Sequence, residues 1–195
     1  MNPEITYTLP DYQTQCGCAD IMMHTMERYF VLEDTMEITD KIAQDVMKNV
    51  MKYAKILKKD PENYEARAEI MWCGSLSHNG LTGCGTCGGD WATHLIEHEL
   101  GGMFDVAHGA GLAAVWGSWA RYVMDEKPER FAQFAVDVMG VEESDDVKST
   151  ALKGIEAVEE FYRMIEMPTN MKELGIDPTD EQIKDMAMKA TNHDT

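Results

Sequence analysis

The chain has 195 residues, of which 44% are apolar and 27% charged, so it is long enough to bury a core as one domain. Its 17 basic and 35 acidic residues leave a net charge of −18, with no basic cluster, and this argues against nucleic acid and anionic membrane as partners. The amino terminus has neither the basic nor the apolar region of a signal peptide, and no apolar run approaches the ~20 residues of a membrane span. The expectation is a soluble cytoplasmic protein, and five cysteines at irregular spacing are expected as reduced thiols.

Residues 1–15, polar and punctuated by proline, read as a leading linker, with structure expected from Cys16. From Cys16 to Phe30, Ile21, Met22, Met26 and Tyr29 recur at helical spacing. A second helix is predicted over 40–58, with Ile42, Val46, Val50 and Tyr53 or Ala54 inward. Pro61 is expected to open a third, running to Ser77 on a buried stripe of Tyr64, Ala68, Met71, Trp72 and Leu76. The run 78–90 holds five glycines and reads as a loop with left-handed turns, closed by Asp90 as a helix cap. Two helices follow, separated near Gly101–Gly102, and then a proline-opened helix from Pro128. A long helix, capped by Ser144–Asp146, reaches Met164, and a last one starts at Thr179 and ends near Ala190. No stretch alternates with period two, so residues 16–195 read as an all-α multi-helix bundle of about seven to nine helices.

The chemistry concentrates on the histidines. His94 and His98 lie one turn apart on one helix, and a reversal after Gly102 brings His108 back towards them. Asp20 and His24 share a face of the first helix. Together Asp20, His24, His94 and His108 make one hard oxygen and three imidazoles, a set suited to Fe²⁺ or Zn²⁺. The opposing reading is that a D-x-x-x-H pair is a surface hydrogen bond and His98 a core histidine bonded to a helix carbonyl. His78 and His193 are read as surface or loop residues without companions. Cys84 and Cys87 read as two free thiols, the methionines as adaptable core, and Trp91, Phe104, Trp116 and Trp119 as core aromatics flanking the histidines.

The strings CADIMMHTMERYF and GGDWATHLIEHELGGMFDVAHGAGLA, at their spacing in this chain, resemble the carboxy-terminal domain of the iron-containing alcohol dehydrogenases, on the branch of the NADH-dependent butanol dehydrogenases. The resemblance spans roughly residues 3–190. It implies the helical domain of the dehydroquinate synthase-like fold, with the metal held by Asp20, His24, His94 and His108 and with His98 beside the nicotinamide. It also implies interconversion of a small aldehyde and its alcohol with NADH or NADPH. Hydride transfer builds charge on the substrate oxygen, and a divalent cation stabilises that charge. His98, kept off the metal, is placed to relay a proton or orient the nicotinamide.

The family carries a nucleotide-binding α/β domain ahead of the helical one, and its chain continues past the position of Asn192. The 195 residues are therefore expected to be the metal-binding domain only, inactive alone, and self-associating through the flank that the other domain would cover. Gly83–Gly89 follows a helix rather than a strand and is a weak match to a phosphate loop. Two alternatives stand beside this reading: a non-catalytic helical metal-binding or assembly module, and a metal-dependent hydrolase.

Overall fold

Helix α1, Asp11–Tyr29, is the central helix, and three of the later helices pack directly on it. Cys18, Ala19, Met22, Met23 and Met26 are all fully buried along it, so it is apolar nearly all round, as a central helix must be. The structure, a computed structural model, describes residues 2–33 and 36–191. After α1 come α2 (Glu37–Leu57), α3 (Tyr64–His78), α4 (Ala92–Phe104) and α5 (His108–Val123). They are followed by α6 (Pro128–Asp137), α7 (Val147–Met164), the single turn α8 (Met171–Leu174) and α9 (Asp180–Ala190). No strand occurs among the described residues, and none of their helices is long and apolar enough to cross a membrane. His193 and Asn192 lie outside the described residues.

The boundaries follow local chemistry. Pro128 occupies the first turn of α6, Asp146 caps α7 through Lys148 N–H at 3.1 Å, and Thr179 with Gln182 forms a capping box on α9. Structure begins earlier than Cys16, because α1 starts at Asp11 and both Thr14 and Gln15 are buried. A reading keyed to apolar periodicity passes over these two. They are tolerated inside because Arg67 donates to Thr14 Oγ1 at 3.0 Å, and Gln15 donates to Asp11 and to the Ala54 carbonyl. Asp40, expected at the start of α2, lies inside it as a buried carboxylate gripped by Arg130 at 2.5 and 2.7 Å.

The third helix departs most from expectation. Asn63, not Pro61, caps α3 by accepting from Ala66 N–H at 3.0 Å, while the Pro61 carbonyl accepts from Arg67. Its buried face is Ala66, Arg67, Cys73 and Ser77, and the expected Tyr64 and Trp72 are 56% and 53% exposed. Arg67 and Ser77 find hydrogen-bond partners inside and so turn the helix away from its bulkiest apolar residues.

On the other side of α1 lies α5, buried from Gly109 to Gly117. Two of its glycines decide how the helices meet. A Cβ on Gly109 would stand 2.6 Å from the Cys16 carbonyl carbon and closer still to its oxygen. Only a bare Cα lets α5 cross α1 here, one turn before Asp20 and next to His108. A Cβ on Gly111 would lie 2.6 Å from Glu97 Oε1, so that glycine leaves the space through which the Glu97 carboxylate reaches α5. Farther along, Phe30 stacks on Phe131 with centroids 4.3 Å apart, and Phe134, Trp116 and Trp119 complete an aromatic core.

Gly109→Ala is expected to destabilise the chain by about 3 kcal/mol or more, lowering the thermal midpoint by roughly 6–12 °C. The control is Gly102→Ala on α4, where an added Cβ meets nothing within 4 Å; it should be neutral or slightly stabilising. Differential scanning calorimetry separates the two, and equal midpoints would remove the crossing constraint.

Candidate metal centre

Three helices bring ligand-type side chains to one spot. Asp20 and His24 stand on α1 one turn apart, His94 on the first turns of α4, and His108 at the first position of α5. All three imidazoles aim Nε2 at the same atom, Asp20 Oδ1, at 3.5 Å from His24, 3.6 Å from His94 and 3.5 Å from His108. Ligand atoms sharing a tetrahedral ion at bond lengths near 2.0–2.2 Å are roughly 3.3–3.6 Å apart. The three distances to Asp20 match that spacing.

Two buried carboxylates set the direction of those imidazoles. Glu27, on α1 and fully buried, accepts from His94 backbone N–H at 3.1 Å and bonds His94 Nδ1 with its other oxygen. Glu97, on α4 and 1% exposed, bonds His108 Nδ1. An ionised carboxylate only accepts, so in both rings Nδ1 carries a hydrogen and Nε2 is the atom turned to Asp20. Asp20 Oδ1 and His94 Nε2 are buried without a hydrogen-bond partner. Buried acceptors turned towards one another are costly unless a proton or a cation stands between them. By donor chemistry and by these orphaned atoms, the residues fit a divalent cation.

Charge leans the same way. Burial works to raise the Asp20 carboxyl, but the His108 and His94 imidazoles facing it outweigh that and hold the group well below the usual carboxylate range. His24 is pushed down to about 4, chiefly by burial against the opposing pull of Asp20, and is a neutral imidazole. The carboxylates of Asp20 and Glu97, one facing each ring nitrogen, drive His108 up to about 10. Burial lowers His94, yet the facing Asp20 and Glu27 win and raise it. A cation arriving here displaces protons from His94 and His108.

His98 stands apart from this convergence. It is exposed, lies face to face with His108 at 5.5 Å and meets His94 edge-on at 6.1 Å. Glu97, His98 and His108 have one ligand atom apiece within 4.8 Å of each other, but Glu97 is occupied with His108 Nδ1. Asp90, expected as the cap of α4, stands one residue before the actual cap, Trp91, and accepts from Ala92 N–H at 3.0 Å; four of the five loop glycines have positive φ. Trp91 itself is left-handed at φ 64° and walls the centre, edge-on to His24 and His94 at 5.3 Å each. Cys84 and Cys87 are exposed free thiols. The small apolar cavity beside Phe30, Trp119 and Phe131 contains none of the histidines; the centre opens to the surface at His98 and His108, both exposed.

Sequence reasoning missed three participants. Glu27 continues the Asp20, His24 face at i+7, a spacing that signals it. Glu97 lies between His94 and His98, where it reads as one more charged residue of an amphipathic helix. His78 is not without a companion: its Nε2 lies 3.3 Å from Asp20 Oδ2, and its ring is 3.9 Å from that of His24. Its partner is 58 residues away in sequence, beyond any local pattern.

Comparison with known proteins agrees with this architecture. The family model described as Fe-containing alcohol dehydrogenase family, C-terminal, matches residues 14–195. NADH-dependent butanol dehydrogenase A of Clostridium acetobutylicum is 35% identical over 90% of this chain and 45% of its own. The NADPH-dependent aldehyde reductase YqhD of Escherichia coli is 34% identical over 91% of this chain and 45% of its own. Among solved structures, the NADH-dependent butanol dehydrogenase A of Thermotoga maritima superposes with a TM-score of 0.90 at 36% identity, over 97% of this chain and 46% of that one. The chain thus spans about half the length of the relatives it matches.

Proposed function

We propose, from the premise that the chain belongs to the Fe-containing alcohol dehydrogenase family and carries its C-terminal domain, that these helices are the metal-holding half of an NAD(P)H-dependent enzyme interconverting a small aldehyde and its primary alcohol. The observation that supports this most is the convergence of three Nε2 atoms on Asp20 Oδ1, with Glu27 and Glu97 fixing two of the rings. Asp20, His24, His94 and His108 would hold the cation, Fe²⁺ or alternatively Zn²⁺. When bound, it supplies a Lewis acid that polarises the substrate carbonyl oxygen.

The chain's own residues do the rest. Asp20 is the only formally charged ligand, which leaves the centre receptive to the negative charge that grows on the substrate oxygen during hydride transfer. Glu27 and Glu97 keep the imidazole lone pairs aimed inward and make those nitrogens more basic. Exposed His98, stacked on His108, is within reach of a substrate or nicotinamide bound over the open face; there it moves a proton or orients the ring. Trp91 screens the other side and limits water.

Cation binding tests the first half of this reading. Metal-free chain titrated with Fe²⁺ or Zn²⁺ against a competing chelator should bind tightly, Asp20→Asn and His108→Ala should bind far more weakly, and Glu97→Gln should lose about 10–100-fold. Affinity should fall as pH falls, because the protons that Asp20, Glu27 and Glu97 hold on His94 and His108 compete with the cation below the raised pKa values. Equal affinity in all variants, or an affinity that rises in acid, rejects the four-residue centre.

Hydride transfer tests the second half. The described residues are all helix and turn, with no strand leading into a phosphate-binding glycine turn. Positioning the hydride donor is worth on the order of 7–11 kcal/mol in such reactions. The 195 residues by themselves should therefore show negligible NADH or NADPH oxidation with butanal. Supplying the nucleotide-binding domain of a relative, fused or in trans, should restore turnover, and His98→Ala should then depress it with the cation still bound. Robust turnover by the 195 residues alone, or a folded and metal-loaded fusion without activity, would sink this reading.

A further inference from the structure

We infer that the centre takes a second divalent cation, held by Asp20 Oδ2, His78 and His24, so that the Asp20 carboxylate bridges two cation positions. This rests on the reading that the Asp20 cluster binds divalent metal. Among the described residues, Asp20, His94 and His108 have ligand atoms within 4.8 Å of one another, and so, separately, do Asp20, His24 and His78. The two triads share Asp20, and its two oxygens face different partners: Oδ1 faces His24, His94 and His108, and Oδ2 faces His78 at 3.3 Å. A carboxylate offering one oxygen to each of two imidazole groups is the arrangement of a two-metal centre.

The hydrogen bonding of His78 repeats that of His94 and His108. Its Nδ1 lies 2.9 Å from the Gly74 carbonyl oxygen, an atom that only accepts. Ser77 Oγ lies 2.7 Å from the same Nδ1 and 3.0 Å from that carbonyl. These contacts hold the ring through Nδ1 and turn Nε2 to the Asp20 carboxylate at 3.3 Å. Arg28, on α1, donates to the His24 carbonyl at 2.9 Å and the Ser77 carbonyl at 2.7 Å, which clamps the end of α3 against α1 and fixes His78 beside Asp20. His24 borders both positions: its Nε2 is 3.5 Å from Asp20 Oδ1 and its ring is 3.9 Å from that of His78. With one cation bound, His24 completes the four-ligand set. With two, it joins His78, and each cation keeps three protein ligands with open positions for water. His78 is 42% exposed at the side chain, so the second position is the more accessible one.

The test is a count. Metal-free full chain is equilibrated with Co²⁺ by dialysis, with bound metal measured by elemental analysis and ligation followed by visible absorption. Wild type should hold about two Co²⁺ per chain, the second more weakly because like charges repel. His78→Leu and His78→Asn, at an exposed position that leaves the core untouched, should each hold about one, with the tighter step within about two-fold of wild type. One Co²⁺ per chain in wild type and variants alike overturns the second position and leaves the proposed function standing. Two in all three proteins also overturns it. None in wild type overturns both this inference and the proposed function.

Discussion

Two buried glutamates govern this structure. Glu27 and Glu97 are 0% and 1% exposed, and an ionised carboxylate at such depth is strongly unfavourable unless its oxygens are met by donors. Each is met by an imidazole Nδ1–H, and Glu27 also by a backbone N–H at the start of α4, while Glu97 Oε1 has no donor and lies in the gap beside Gly111. Apolar residues of similar volume would stabilise the helices at least as well. What the glutamates add is direction, since a ring bonded through Nδ1 cannot turn its Nε2 away from Asp20. The close crossing of α1 and α5 at Gly109, and the gap left by Gly111, place backbone and carboxylate so that these bonds can form.

Much of this was legible in the sequence. The all-helical class, the proline and capping-box starts of α6 and α9, and the approach of His94 and His108 to Asp20 and His24 follow from spacing and local chemistry. The illegible parts share a cause. Thr14, Gln15, Asp40 and Arg67 are polar residues whose partners lie far along the chain, so periodicity assigns them to the surface and their burial emerges only with the tertiary contacts. The face of α3 was misjudged for the same reason, because two satisfied polar residues turned inward and left Tyr64 and Trp72 outward. His78 was missed as a member of the cluster because one histidine at a helix end has no local pattern.

The site and the core are also separable. The histidines and glutamates gather where α1, α3, α4 and α5 meet on an open face, while the apolar mass of Phe30, Trp116, Phe131 and Phe134 lies further along α1 and α5. Chemistry placed at one end of a rigid helix pair inherits the precision of the packed end without sharing its dryness.

Helix α4 differs from its neighbours in how it is attached. Its fully buried anchor, Leu100, belongs to a small cluster with Val115 and Met186, apart from the main core, and left-handed residues bracket it at both ends, Trp91 at φ 64° and Asp105 at φ 54°. Each such residue stores on the order of 1 kcal/mol or more. Local opening of α4 therefore costs less than global unfolding, and it carries away His94 together with the Glu97 that orients His108. The consequence is kinetic: were α4 to open in this way, whatever the histidines hold would leave with it, an event that amide exchange along α4 would report.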